Sequence, residues 1–154
     1  MTVRKNDAAS VADREIVSMR TINAPREQVW KAWTEPEHLA KWWGPKGFTN
    51  TIHEFDMRPG GTWRFVMHGP DGVDYHNESI FVEIVKSERI VFQHLKPMHK
   101  FQVTTTFEDL GDKTHLTFHM RFESAAECGK VRIYAIDANE QNFDRLEAEL
   151  AKMS

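Results

Sequence analysis

Two alternating stretches constrain this chain more than anything else in it. Between Phe101 and Phe107, the residues Phe101, Val103, Thr105 and Phe107 fall on one side. After the turn residues Leu110-Gly111-Asp112-Lys113, the stretch Thr114 to Phe122 puts Leu116, Phe118, Met120 and Phe122 on one side. Successive strand residues point to opposite faces, so period-two alternation with polar residues opposite describes an antiparallel hairpin buried on one face only. A one-faced sheet needs a cover. The chain's last segment supplies it, because Val131, Ala135, Ala138, Phe143, Leu146 and Leu150 form a helical apolar stripe that is imperfect near Asn139. Ser124 and Glu127 have capping-box spacing, but Gly129 moves the expected start of the long helix towards Lys130.

Arg14 to Ile22 reads as a first strand. Pro25 and Glu27 then open a short helix that ends near Thr34, and Pro36 and Glu37 open a second that Gly44-Pro45 closes. Four further strands follow: Phe48–Met57, Thr62–His68, Asp74–Val85 and Ile90–Leu95, with turn signals between them. In Phe48–Met57, Ile52 and Phe55 favour opposite faces, so its register stays open. The expected fold is α+β. A curved antiparallel sheet of about seven strands wraps around a long C-terminal helix, with two short helices closing one end. Residues 1–12 are polar and aperiodic and read as a flexible arm, leaving 13–154 as a single domain.

Composition sets outer limits. The chain has 154 residues, 20 Lys+Arg against 23 Asp+Glu, and five Trp with ten Phe. Without a basic excess, nucleic-acid binding driven by phosphate neutralisation is disfavoured. A lone cysteine, Cys128, leaves no internal disulfide. The N-terminus has no apolar signal-like region and no run is long enough to span a membrane, so a cytoplasmic location is expected.

Three words resemble the heat-shock ATPase-activator-homologue family of the START-like (SRPBCC, birch-pollen-allergen-like) helix-grip superfamily. They are Ala-Pro-Arg-Glu-Gln-Val-Trp-Lys-Ala-Trp-Thr-Glu-Pro-Glu-His-Leu-Ala-Lys-Trp-Trp-Gly-Pro (24–45), Asp-Met-Arg-Pro-Gly-Gly-Thr-Trp (56–63) and Tyr-Ala-Ile-Asp-Ala-Asn-Glu-Gln-Asn-Phe-Asp-Arg-Leu (134–146). Such proteins often show glycine where this chain has Ala138 and leucine where it has Phe143. The resemblance implies a helix-grip with an internal apolar cavity. It does not fix a function, because relatives include lipid carriers, cyclases and hormone receptors.

The expected site follows from strand register. Trp63, Phe65 and Met67 are read as cavity wall, and Phe92, Phe118 and Tyr134 as further contact area. If Ile80, Val82 and Ile84 face inward, then Glu78 and His76 share their side, and Ile90 and Phe92 carry His94 inward. A one-residue slip, such as a bulge, reverses each of these assignments. Trp42 and Trp43 are candidates at the cavity mouth, and because helix neighbours point about 100° apart, only one of them can be fully buried. Trp30 and Trp33 are read as anchors of the first short helix. Asp56 and Arg58 read as part of a turn, with anion binding as the alternative.

The histidines give no metal site. His115 and His119 are four apart, which on a strand is about 13 Å, and they face away from the apolar side. No catalytic residue, metal or cofactor is assigned. The expected function is binding of a small hydrophobic or aromatic molecule. The alternatives are a co-chaperone or interaction module using Trp43 and the loop Leu95–His99, and a cyclase- or hydrolase-like enzyme using His76, His94 or Glu78. A strand edge at Ile90–Leu95 is the expected place for two chains to pair.

Overall fold

The computed structural model describes residues 13–153, so the expected arm at 1–12 lies outside the described residues. The elements are β1 (Glu15–Ile22), α1 (Arg26–Thr34), α2 (Pro36–Trp42), β2 (Thr49–Phe55), β3 (Thr62–His68), β4 (Asp74–Val85), β5 (Arg89–Lys96), β6 (Phe101–Asp109), β7 (Thr114–Phe122) and α3 (Ala125–Met153). All seven strands form one antiparallel sheet in the order β1-β7-β6-β5-β4-β3-β2. The long helix α3 covers its apolar face, and α1 and α2 close one end. This is the helix-grip arrangement expected from the sequence.

The hairpin that dominates the sequence is present as read. Phe107 pairs with Leu116 and Val103 with Met120, all buried. The long helix starts at Ala125 and passes through Gly129 without a break. The Ser124 hydroxyl accepts a hydrogen bond from the Glu127 amide at 3.2 Å. This cap satisfies an otherwise orphaned donor and sets the start five residues earlier than Gly129 suggests. The interruption at Asn139 is a packed polar contact, because its Nδ2 donates to Ser18 Oγ on β1 at 3.1 Å.

Arg20, on the inward face of β1, ties the strand to the helix. Its guanidinium donates to Glu140, Asp144 and Glu147, each at 2.7 Å, and lies over the Phe143 ring. Desolvation alone would lower its pKa, but the three carboxylates together raise it above the usual range.

Two expectations are corrected here. The stretch Ile90–Leu95 is not an edge, because β5 is hydrogen-bonded to β4 on one side and β6 on the other. The sheet's edges are β1 and β2. Up to Val82 the inward set on β4 is also one residue away from the expected one, whereas Ile84 packs against the core as expected. Tyr75, Asn77, Ser79 and Phe81 face the helix, while His76 and Val82 are exposed. Three bulges shift register in the sheet, and the one at Val82 explains the difference on β4. Leu95 is the extra residue between the pairs Glu78–Lys96 and Ser79–His94. Val82 is extra between Phe81–Phe92 and Glu83–Val91. His53 is extra between Ile52–Phe65 and Glu54–Arg64, which lets Ile52 and Phe55 both pack against the core.

Candidate functional site: an aromatic chamber under a latched lid

Between the sheet and α3 lies a chamber of about 170 Å³. Trp63, Phe65 and Met67 on β3 supply one wall, and Phe92 on β5 with Phe118 on β7 supply another. Ala138, Asn139 and Asn142 of α3 form the roof. Pro45, Met67, His94, Phe101 and Ala138 also line a wider vestibule of about 720 Å³, whose rim carries Met98, Ile133 and Tyr134. Chamber and vestibule therefore share a throat, with Ala138 on its helix side.

The lid depends on where α2 ends. Trp42 is the last helical residue and is 1% exposed. Its indole N–H donates to the Ala32 carbonyl at 2.9 Å, so it packs against α1 and does not line the chamber. Trp42 is thus a structural residue and not the mouth residue expected. Trp43 has left the helix for extended backbone, and Gly44 follows at φ +98, a conformation glycine adopts without strain. This turn sets the Trp43 ring at the end of the chamber, 5.0 Å from Trp63 and 6.1 Å from Phe118, both edge-on.

The turn is held from the long helix. Arg145 Nη1 donates to the carbonyls of Trp43, Gly44 and Pro45, and Nη2 donates to Lys41. Burial lowers the Arg145 pKa. The Gly44 amide donates to Asn142 Oδ1 and the Lys46 amide to Gln141 Oε1, both at 3.1 Å. From the sheet side, Asn50 Nδ2 donates to Ala40 and Trp43 carbonyls. A helix C-terminus leaves carbonyls without partners, and here Arg145 and Asn50 supply the donors.

The polar residues of the chamber lie mainly on β4 and β5. His94 is nine-tenths buried, stacks on Phe101 at 4.5 Å, and faces the Pro97 carbonyl through Nε2 at 3.3 Å. A carbonyl only accepts, so Nε2 carries the proton and Nδ1 is left as an acceptor. Burial lowers the His94 pKa, the Pro97 contact opposes this, and His99 adds to it. Asn77 and Ser79 line the same wall. The Trp63 indole N–H is buried with no hydrogen-bond partner.

Of the expected site residues, Trp43, Trp63, Phe65, Met67, Phe92, His94 and Phe118 line the chamber. Tyr134 stands at the vestibule rim, half exposed, with its pKa raised by partial burial. His76 and Glu78 lie outside both spaces, with Glu78 3.9 Å from Lys96. Arg58 is an exposed partner of Asp56. Sequence reasoning missed Asn77, Ser79, Asn139 and Arg145. Only Asn139 left a signal, as the polar break in the helical stripe.

Cys128 is fully buried and lines neither space. Glu35, Glu37 and His38 bring three potential ligand atoms within 4.8 Å at the start of α2. His38 already engages Glu149 at 2.8 Å and Glu35 at 3.5 Å, so both its ring nitrogens are taken up by carboxylates of the protein itself. Among the described residues, no helix is long and apolar enough to cross a membrane.

A curved sheet gripping a long helix around a lined chamber places the protein in the helix-grip class. The family model described as "Activator of Hsp90 ATPase homolog 1-like protein" matches residues 23–151, and the chain belongs to this family. Solved structures agree in fold. A Nitrosomonas europaea protein is 22% identical with TM-score 0.84, covering 93% of this chain and 97% of that one. An Arthrobacter aurescens protein is 22% identical with TM-score 0.85 over 92% and 88% of the two chains. A Rhodobacter sphaeroides protein is 22% identical with TM-score 0.84 over 92% and 95%. No curated protein matches the chain.

Proposed function

We propose that this protein binds a small hydrophobic or aromatic molecule in the chamber. The carrying observation is a space of about 170 Å³ walled by aromatic side chains and free of Lys, Arg, Asp and Glu. An apolar cavity of about 150 Å³ takes up benzene, so this chamber is sized for one ring, with the vestibule for any tail. Calorimetry and thermal unfolding with toluene test the reading. A ligand at a hundred times its Kd stabilises the native state by about 2.7 kcal/mol, so the melting temperature rises by several degrees. Ala138→Phe places a ring in the throat and is expected to remove that rise, once its own melting curve shows that it folds. No shift in the unmodified protein would defeat the reading.

An enzymatic role has one observation in its favour, the neutral His94 with a free acceptor nitrogen in a mostly apolar space. Glu78 and His76, the other acid–base candidates, are outside it. A co-chaperone role finds its support in the family description and in the exposed Met98 (77%) and Ile133 (85%) at the rim. Stimulation of a chaperone ATPase by the purified protein would establish that role.

A further inference from the structure

We propose that the chamber selects an uncharged ring compound bearing one hydroxyl or carbonyl oxygen, and rejects the matching carboxylate; this rests on the ligand-binding reading above. The observation is a row of residues in register. Trp63 on β3 pairs with Ser79 on β4, Ser79 pairs with His94 on β5, and His94 pairs with Phe101 on β6. All four line the chamber. Neighbouring strands are about 4.8 Å apart, so an indole ring, a hydroxyl and an imidazole stand side by side along one strip of an otherwise apolar wall. The bulge at Leu95 creates this row, since without it the residue opposite Ser79 would be Leu95.

The polar members of the row, Trp63, Ser79 and His94, are neutral hydrogen-bonding groups, and Phe101 ends it as an apolar ring. The Trp63 N–H is buried without a protein partner and is not accessible from the chamber, so the polar groups a ligand meets on this strip are Ser79 and His94. Ser79 is 1% exposed and its hydroxyl both donates and accepts. His94 offers Nδ1 as an acceptor, since Nε2 faces the Pro97 carbonyl. An oxygen lodged between Ser79 and His94 therefore meets a hydroxyl that can donate or accept and an imidazole nitrogen that accepts, which suits a hydroxyl. Nothing in the chamber offsets a negative charge. Its lining holds no cation, and Arg145, which is outside the lining, gives its guanidinium to four main-chain carbonyls. Asp137 at the vestibule carries the same sign as an incoming carboxylate. Moving an ionised carboxylate into such a space without a partner is strongly unfavourable.

Calorimetric titration at neutral pH with toluene, phenol and benzoate separates the parts of this claim. Phenol is expected to bind at least about tenfold more tightly than benzoate, equivalent to one factor of ten in Kd. Ser79→Ala is expected to reduce the ratio of phenol to toluene affinity by about three- to tenfold, the range of one net hydrogen bond. A purely structural role for Ser79 would change both ligands together. Benzoate binding as tightly as phenol, or a phenol-to-toluene ratio unchanged in Ser79→Ala, overturns the proposal while leaving ligand binding in place. Failure of all three compounds to bind removes the ligand-binding reading itself, and this proposal with it.

Discussion

Truncating Trp42 to alanine is expected to destabilise the fold by about 3–5 kcal/mol, the range for emptying a buried large aromatic site. The ring is 1% exposed and meets Trp33 at 4.9 Å and Trp43 at 5.5 Å, both edge-on. Its loss also strips the Ala32 carbonyl of the indole donor. Against a typical total stability of about 5–15 kcal/mol, this is a large share. Trp42→Phe keeps most of the ring contact and loses the hydrogen bond, so about 1 kcal/mol is expected. Denaturant midpoints of the two variants measure the difference. A loss below about 1 kcal/mol for Trp42→Ala would mean that Trp42 is not the structural anchor described, since buried large-to-small changes exceed that.

Arg145→Ala is the second large effect, expected at about 2–4 kcal/mol because hydrogen bonds to charged groups are individually strong. This guanidinium donates to four carbonyls spanning the end of α2 and the turn after it, the one at Trp43 shared with Asn50. Arg145→Lys should recover only part of the loss, because a single ammonium cannot reproduce the planar fork. The distinguishing readout is local. Amide exchange at Gly44 and Lys46, whose N–H groups are held by Asn142 and Gln141, should quicken more than exchange in β6 and β7. Uniform acceleration across the protein would show that Arg145 stabilises the fold without latching the lid.

The fold was legible because its strongest signals are periodic and local. The β6–β7 hairpin alternates without a bulge, and Pro25, Pro36 and Gly44-Pro45 mark the short helices in the sequence itself. The site was legible only where register survived. Phe92 and His94 share a face with Ile90, and all three are buried. On β4 the apolar alternation of Ile80, Val82 and Ile84 held only at Ile84, which packs against the core; Val82 is a bulge residue, and before it the inward positions hold Asn77, Ser79 and Phe81. Bulges leave no mark in a period-two pattern. Arg145 was hidden for a different reason. In the sequence it is one charged residue on a charged helix face, and its partners arrive from about a hundred positions earlier in the chain.

The tryptophans divide by environment. Trp33 and Trp42 are buried in the end cap, Trp30 meets Phe107 edge-on, and only Trp43 and Trp63 line the chamber. That division provides a direct measurement of whether the chamber takes a ligand. Each of the five indole N–H groups gives its own signal in a nitrogen-correlated proton spectrum, assignable by single Trp→Phe variants. On titration with phenol, the signals of Trp63 and Trp43 are expected to move with saturation while those of Trp30, Trp33 and Trp42 move least. Unmoved signals at Trp63 and Trp43 under saturating phenol would contradict the account.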